Sequence, residues 1–427
     1  MTSQSLRDGS ESSYVIVGDG IAGSAAAETL AERTADASIT VVTAEAEPLY
    51  NRILIKEYAK GTLEADAVRI HDPAWYDERN IDLRLDTRVE TVDTTDSAIM
   101  TANGERLPYD DLLIATGGTP RSLPVENADA EGVTTFWTIA DAQRIRRKAE
   151  AAETGTIVGG GLLGIDYAAI AASRNVDAHY LIREDRWFSR AMSPVGAEIV
   201  HDALREMGVT PVFETMVEGF RTDEDGHVRA TEADDGRIYD SDCVGVAIGT
   251  EPNTGLLEDT TITLEDGVVV DEYLQTEDPS VWAAGDVSRY YDRRLGQSVS
   301  NGSWGSAAAQ GELAAKNMLA DFGSAEVFEY VPSYTVSHFE FPLASFGHPT
   351  LGETYHERQY GDQEWRRLAF RDGKLVGGVL IGDLSPLQAY TDLTATGRRV
   401  EHDVQQLLAQ SFNGITPDRQ SSPVASD

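Results

Sequence analysis

The sequence predicts an α/β protein carrying a duplicated nucleotide-binding unit. Short Val/Ile-rich strands alternate with Ala-rich helices through most of its 427 residues, the pattern of helices packed on a largely parallel sheet. The stretch VIVGDGIAG at Val15–Gly23 returns as TIVGGGLLG at Thr156–Gly164, its glycines 141 residues further on. With 41% apolar residues, the chain is long enough for two or three packed domains of about 100–200 residues each.

Residues 1–12 and the Ser/Pro/Asp-rich end at 414–427 have the composition of unstructured segments. Between them, each copy of the repeat has a β-branched run entering the glycines and an Ala-rich helix leaving them. In that context GxGxxG denotes a Rossmann-like dinucleotide cradle. The first two glycines close the turn and let the backbone approach a pyrophosphate, while the third lets helix and strand pack. Gly18, Gly20 and Gly23 form one set, and Gly159, Gly161 and Gly164 the other. After the first set, ITVVTAEAEPLY reads as a second strand ending near Glu45, 22 residues beyond Gly23, where a carboxylate binds ribose hydroxyls. After the second set comes AHYLIREDRWFSR, with Ile182 where an acid would hold an NADH ribose and Arg183, Arg186 and Arg190 following. Three arginines so close together in a cation-poor chain point to a 2′-phosphate and hence to NADPH. Glu184 and Asp185 stand among them, which leaves NADH and a solvated turn as the other readings.

Lys and Arg number 35 against 72 Asp and Glu, for a net charge of −37. No long acidic block accounts for it, so the charge belongs to the whole surface, as in the solvated coat of proteins from salt-loving cells. A basic protein partner is the alternative reading. Nucleic acid is disfavoured, because phosphate binding needs clustered cations. Cys243 is the single cysteine, which excludes a disulfide framework, a CxxC pair and a cysteine-ligated cluster within this chain. It lies in the apolar run SDCVGVAIG and is expected to be a buried structural thiol. The eight His show no HExxH or other metal spacing, and His338 is read as a core or surface residue. No basic-then-apolar leader and no run of about 18 apolar residues stands in the sequence, so a cytoplasmic protein without a membrane segment is expected.

Three further stretches carry a resemblance: YDDLLIATGGTPR at 109–121, IGTEPNT at 248–254 and VWAAGDV at 281–287. With the two cradles, over about residues 13–320, they resemble the pyridine nucleotide-disulfide oxidoreductase family of flavoproteins with two dinucleotide-binding domains. That family includes glutathione reductase, ferredoxin and rubredoxin reductases and the flavin part of NAD(P)H-dependent nitrite reductases. The resemblance implies an FAD-binding domain at 13–121 and 251–325, with an NAD(P)-binding domain at 122–250 inserted in it. FAD would lie in the first cradle and NADPH or NADH in the second. Glu45 would bind the adenosine ribose of FAD, Gly285 and Asp286 the flavin side through the ribityl chain, Val89 the adenine, and Thr116 and Gly117 the approach to the pyrophosphate.

Within the family, LYNRILIKEY at 49–58 discriminates most. Thiol-based members place cysteines near the flavin early in the chain, and none stands here. Tyr50 and Arg52 instead resemble the ferredoxin, rubredoxin and nitrite-reductase branch, where the Arg sits beside FAD. WGSAAAQGELAAKNML at 304–319 and FRDGKLVGGVLIGD at 370–383 resemble the same branch. The second of these implies a smaller C-terminal α+β domain at 326–413. Lys56 and Asp166 are the catalytic candidates facing the flavin, although some relatives have the Lys at the position of Glu57 and many have Glu in place of Asp166. A surface or interdomain salt bridge is the alternative for both.

The activity implied is oxidation of NAD(P)H through FAD with delivery of electrons to an external acceptor, foremost a ferredoxin- or rubredoxin-type carrier. The alternatives are a flavin subunit serving a nitrite- or sulfite-type reductase, and a non-enzymatic flavin-binding assembly or signalling protein. A membrane quinone reductase is disfavoured, since RRVEHDVQQLLAQSF at 398–412 is short and not basic enough for an amphipathic anchor. Nothing in the sequence decides the oligomeric state.

Overall fold

The computed structural model describes residues 12–34, 36–321 and 323–414. Of the ends expected to lack structure, residues 1–11 and 415–427 lie outside the described residues, and Ser12 already belongs to the first strand, opposite Ala37. The chain divides into two compact units: residues up to Ser189 with Val200–Tyr330, and Arg190–Ile199 with the chain from Val331 onward.

The first unit holds two five-stranded parallel sheets. One runs Val281–Ala283, Asp111–Ile114, Ser12–Val17, Ala37–Val42, Ile81–Arg84. The other runs Val209–Phe213, Asp177–Ile182, Thr154–Val158, Cys243–Val246, Val133–Thr135. In each, the strand that leads into the glycines is central, with the following strand on one side and a much later one on the other. The strand order therefore reverses at the glycine loop, which is where open α/β sheets bind ligands. Val15, Ile16 and Val17 are all buried, so this strand reads as an uninterrupted apolar run, as expected when helices cover both faces of a sheet.

Helix Ile21–Arg33 is built largely from small residues and meets helix Trp304–Met318 at close range. A Cβ on Gly311 would stand 1.9 Å from the Ala22 carbonyl oxygen, so only glycine permits this crossing. The later helix is thereby drawn to the start of the first, beside its glycine loop.

The second unit is a five-stranded antiparallel sheet in the order Ser333–Val336, Leu343–Gly347, Lys374–Ile381, Glu364–Arg371, Thr354–Gly361. Helix Leu387–Thr396 covers it, with Tyr390 stacked on Phe346 over a core that includes Leu368, Phe370 and Leu380. Trp365 is fully buried, and its ring fills the space above Gly196 in the 190–199 segment. Among the described residues no helix is long and apolar enough to cross a membrane.

Candidate functional site

Both glycine loops close in the same way. Gly18 has φ +111° and Gly159 +122°, and a Cβ on them would lie 2.2 Å and 2.1 Å from the carbonyl oxygens of Ala115 and Ala247. A left-handed backbone pressed this closely on another chain segment admits only glycine. Helices Ile21–Arg33 and Leu162–Ser173 then start from Gly20 and Gly161, both extended and neither giving a side-chain cap. A Cβ on Gly20 or Gly161 would meet nothing within 4 Å. Each helix thus starts at a glycine with open space beside it, room suited to a pyrophosphate at a helix N-terminus. The third glycines pack inward: a Cβ would come within 1.9 Å of Gly18 O at Gly23, and within 1.8 Å of the Tyr180 hydroxyl at Gly164.

Around the first loop, Glu45 accepts a hydrogen bond from the Tyr50 hydroxyl at 2.6 Å and pairs with Arg52. The other arm of Arg52 donates to the Trp137 carbonyl at 2.8 Å. Asp286 follows strand Val281–Ala283, and burial pushes its carboxyl up to about 6 while the nearby Arg52 charge pulls it down. No side chain or backbone group among the described residues donates a hydrogen bond to it. Gln310, fully buried, holds this turn by accepting from Gly285 N at 2.8 Å and from the Ser288 hydroxyl at 2.6 Å. Thr116 and Asn253 exchange hydrogen bonds of 2.8 and 2.9 Å, clamping the loop next to Gly117, whose φ is +63°. Val89 starts strand Val89–Asp93 and pairs with Thr101.

The two catalytic candidates meet each other. Lys56 Nζ lies 3.3 Å from Asp166 Oδ1, with side chains 12% and 6% exposed. Lys56 stands on helix Ile55–Lys60, which follows the Tyr50–Arg52 segment, and Asp166 on the helix leaving the second glycine loop. The pair therefore ties the two nucleotide-binding halves together. Glu57, one residue on, turns away and pairs with Lys60 at 3.0 Å and the Thr62 hydroxyl at 2.8 Å.

At the second loop the arginine reading changes. Arg183 is 66% exposed and pairs with its neighbour Glu184 at 2.7 Å, and Arg186 pairs with its own neighbour Asp185 at 2.7 Å. Arg190 lies in the segment grouped with the second unit. The charges are thus spent on adjacent acids within a tight turn. Trp187 Nε1 and the Tyr180 hydroxyl donate to the Gly161 carbonyl at 3.1 and 3.3 Å, and Ile182 Cγ2 and Glu184 Oε2 lie 3.0 and 3.3 Å from where a Cβ on Gly160 would be. The turn after strand Asp177–Ile182 thus sets Ile182 and the Glu184 carboxylate side by side at Gly160.

Cys243 opens its strand and is half-buried rather than fully enclosed, because it stands at the sheet's end. Burial nevertheless pushes its thiol up to about 11. His338 is half-buried in the bend between strands Ser333–Val336 and Leu343–Gly347. Among the described residues no group of three or more His, Cys, Asp or Glu is placed to hold a metal ion. The sequence reading missed Gln310, Glu184 and Asp19. The signal for Asp19 is its position between Gly18 and Gly20, where a carboxylate is out of keeping with a pyrophosphate cradle.

Residues 12–311 match the profile of the pyridine nucleotide-disulphide oxidoreductase family. The chain is 28% identical over 394 residues to "Nitrite reductase [NAD(P)H]" of Bacillus subtilis, a match that covers 90% of this chain and 48% of that protein. It thus spans about half the length of that relative. It is 32% identical to the "Biphenyl dioxygenase system ferredoxin--NAD(+) reductase component" of Paraburkholderia xenovorans, over 71% of this chain and 74% of that one. Among solved structures, the covalent putidaredoxin reductase–putidaredoxin complex superposes with a TM-score of 0.86 at 26% identity, over 92% of this chain and 95% of that chain.

Proposed function

The chain belongs to the pyridine nucleotide-disulphide oxidoreductase family, and on that premise we propose that it oxidises NAD(P)H through FAD and hands the electrons to a separate ferredoxin- or rubredoxin-type carrier. The observation that carries this reading is a pair of matched, open cradles bridged by a buried Lys56–Asp166 pair, in a chain with one cysteine. FAD supplies two-electron acceptance from the coenzyme and one-electron release to a carrier. With no second thiol in the chain, there is no internal dithiol to receive the electrons.

The first cradle and its surroundings, residues 13–121 and 251–325, fit FAD. Gly20 leaves room at a helix N-terminus for the pyrophosphate. The Asp286 carboxylate is half-buried and has no donor among the described residues, a state that a ribityl hydroxyl relieves. Gln310 holds the turn that aims Asp286, and Arg52 brings a cation beside it. Glu45 takes the adenosine ribose, Val89 the adenine side, and Thr116 and Gly117 the pyrophosphate approach. The second cradle, within 122–250, takes the coenzyme. Lys56 and Asp166 set the charge between the two, and residues 326–413 form a smaller C-terminal α+β domain.

Glu184 at the second loop favours NADH, since a carboxylate accepts from the two ribose hydroxyls and repels a 2′-phosphate. Glu184→Ser is expected to shift the kcat/KM ratio towards NADPH by about 10-fold or more, the scale of one charge-assisted contact. Arg183→Glu should change that ratio by less than about 2-fold, as for an exposed pair. An unaltered ratio in Glu184→Ser would put that carboxylate in solvent.

The Bacillus subtilis match, which covers 90% of this chain, favours a second reading, a flavin component feeding a nitrite- or sulfite-type reductase. Anaerobic NADH and NADPH oxidation with ferredoxin, rubredoxin, nitrite and disulfides as acceptors separates the two. The acidic composition, with no apolar helix long enough to span a membrane among the described residues, fits a halophile's cytoplasm, where we place the protein. Cys243→Ser is expected to leave NADH-dependent ferricyanide reduction within about 2-fold and to cost about 1–2 kcal/mol in stability, from a half-buried hydroxyl. Loss of turnover in that variant would reveal a thiol relay.

A further inference from the structure

The second glycine loop is held from the turn that follows strand Asp177–Ile182. Trp187 is fully buried, and its indole Nε1 donates to the Gly161 carbonyl at 3.1 Å, where the Tyr180 hydroxyl joins it at 3.3 Å. One residue on, Phe188 N donates to the Gly160 carbonyl at 2.9 Å. Phe188 makes that contact from φ +48°, a left-handed conformation that bulky side chains rarely adopt. Such strain persists only where the surroundings impose it. Here they are the enclosed Trp187 ring and Trp187 N, which donates to Nε2 of the buried His201 at 3.1 Å. The first glycine loop is held otherwise, through the side chain of Asp19, which accepts from Leu49 N at 3.1 Å and from the Tyr76 hydroxyl at 2.7 Å.

In a trans peptide the C=O and the N–H point to opposite sides, so a fixed carbonyl also fixes the N–H of the next residue. Phe188 N, holding the Gly160 carbonyl, turns the Gly161 N–H away from the turn. Trp187 and Tyr180, holding the Gly161 carbonyl, turn the Leu162 N–H away from it as well. Neither N–H donates to a group among the described residues, and Leu162 opens its helix, where an N–H has no partner within the helix. Two fixed donors at a helix start match the oxygens of a pyrophosphate.

We propose that Trp187 is a positioning residue for the coenzyme: through its indole N–H and the strained turn it anchors, it aims the Gly161 and Leu162 N–H groups at the coenzyme pyrophosphate. This rests on the reading that the second cradle holds NAD(P)H. The same turn sets the Glu184 carboxylate at Gly160, so the ribose contact and the pyrophosphate donors belong to one rigid piece. The nicotinamide is joined to the pyrophosphate only through its own ribose, so Trp187 acts on coenzyme binding and not on hydride transfer.

The test is Trp187→Phe in the FAD-loaded protein, read with three probes. NADH carries adenosine, pyrophosphate and nicotinamide, ADP-ribose lacks the nicotinamide, and reduced nicotinamide riboside lacks both adenosine and pyrophosphate. The KM for NADH and the inhibition constant of ADP-ribose are expected to rise together, by about 10-fold. Bleaching of the flavin by the reduced riboside should stay within about 2-fold of wild type. Tyr180→Phe keeps its ring and removes one donor, so it should move the same two constants by about 3-fold. A fold loosened enough to displace Asp166 would slow the riboside as much as NADH. ADP-ribose inhibition that is unchanged in a folded Trp187→Phe, or in Tyr180→Phe where the first does not fold, would overturn the proposal, as would a riboside rate that falls in step with that for NADH. Gly161→Glu tests the premise separately: a Cβ there meets nothing within 4 Å, and undiminished NADH oxidation in that variant would remove the coenzyme from this cradle.

Discussion

Gly20→Glu is expected to give a folded, colourless protein. The position separates ligand binding from folding: a Cβ there meets nothing within 4 Å, whereas one on Gly18 strikes the Ala115 carbonyl at 2.2 Å. Gly20 is also extended, at φ −75° and ψ −178°, which any residue adopts without strain. A glutamate therefore enters the cradle without disturbing the chain, fills the room left for a pyrophosphate and places a negative charge at the helix N-terminus that would otherwise hold it. Losing the anion site and gaining a like charge should weaken FAD by about 10³-fold or more, equivalent to at least about 4 kcal/mol. Flavin absorbance per protein and a thermal melt check this together. A yellow variant with a normal melt would mean that flavin binds elsewhere.

The second large effect concerns the Lys56–Asp166 pair. Removing one partner leaves a largely buried charge without its ion-pair partner, at a cost of up to about 3–5 kcal/mol, so Asp166→Leu or Lys56→Met alone should melt several degrees below wild type. Replacing both with apolar residues removes that penalty, and the double variant should regain most of the stability. The rate at which NADH bleaches the flavin should behave differently. If the pair sets the charge between the two nucleotides, that rate falls by about 10²-fold in each single variant and stays low in the double variant. A rate that recovers along with the melt would make the pair a structural tie between the two halves and nothing more.

Much of this arrangement was legible because the chemistry leaves few substitutes. Gly18 and Gly159 must be glycine, being left-handed and pressed against a carbonyl, so the duplication appears directly in the residues. Asp286 was legible through the AAGD turn, although the buried Gln310 that holds the turn was not singled out within its helix. Side-chain direction was harder to read. Lys56 and Glu57 are adjacent, and the helix register alone decides that Lys56 meets Asp166 while Glu57 meets Lys60. Counting along the chain singled out Ile182, which does stand at Gly160, but it did not show that the turn that follows carries Glu184 back to the same glycine. Asp19 is one of 72 acids, and nothing in its neighbours' identity says that Tyr76, 57 positions away, will reach its carboxyl. The grouping of Arg190–Ile199 with the C-terminal unit depends on packing such as Trp365 over Gly196, a long-range contact with no local signature.

Whether electrons from the coenzyme leave this chain to a separate carrier is decided by bleaching the bound flavin anaerobically with a limiting amount of NADH and then adding one oxidised acceptor at a time. The yellow absorbance is expected to return on adding a ferredoxin- or rubredoxin-type protein, in Cys243→Ser as in wild type, and not with glutathione or CoA disulfide. Recovery with a disulfide alone, abolished by Cys243→Ser, would instead make this chain a thiol-relay disulfide reductase.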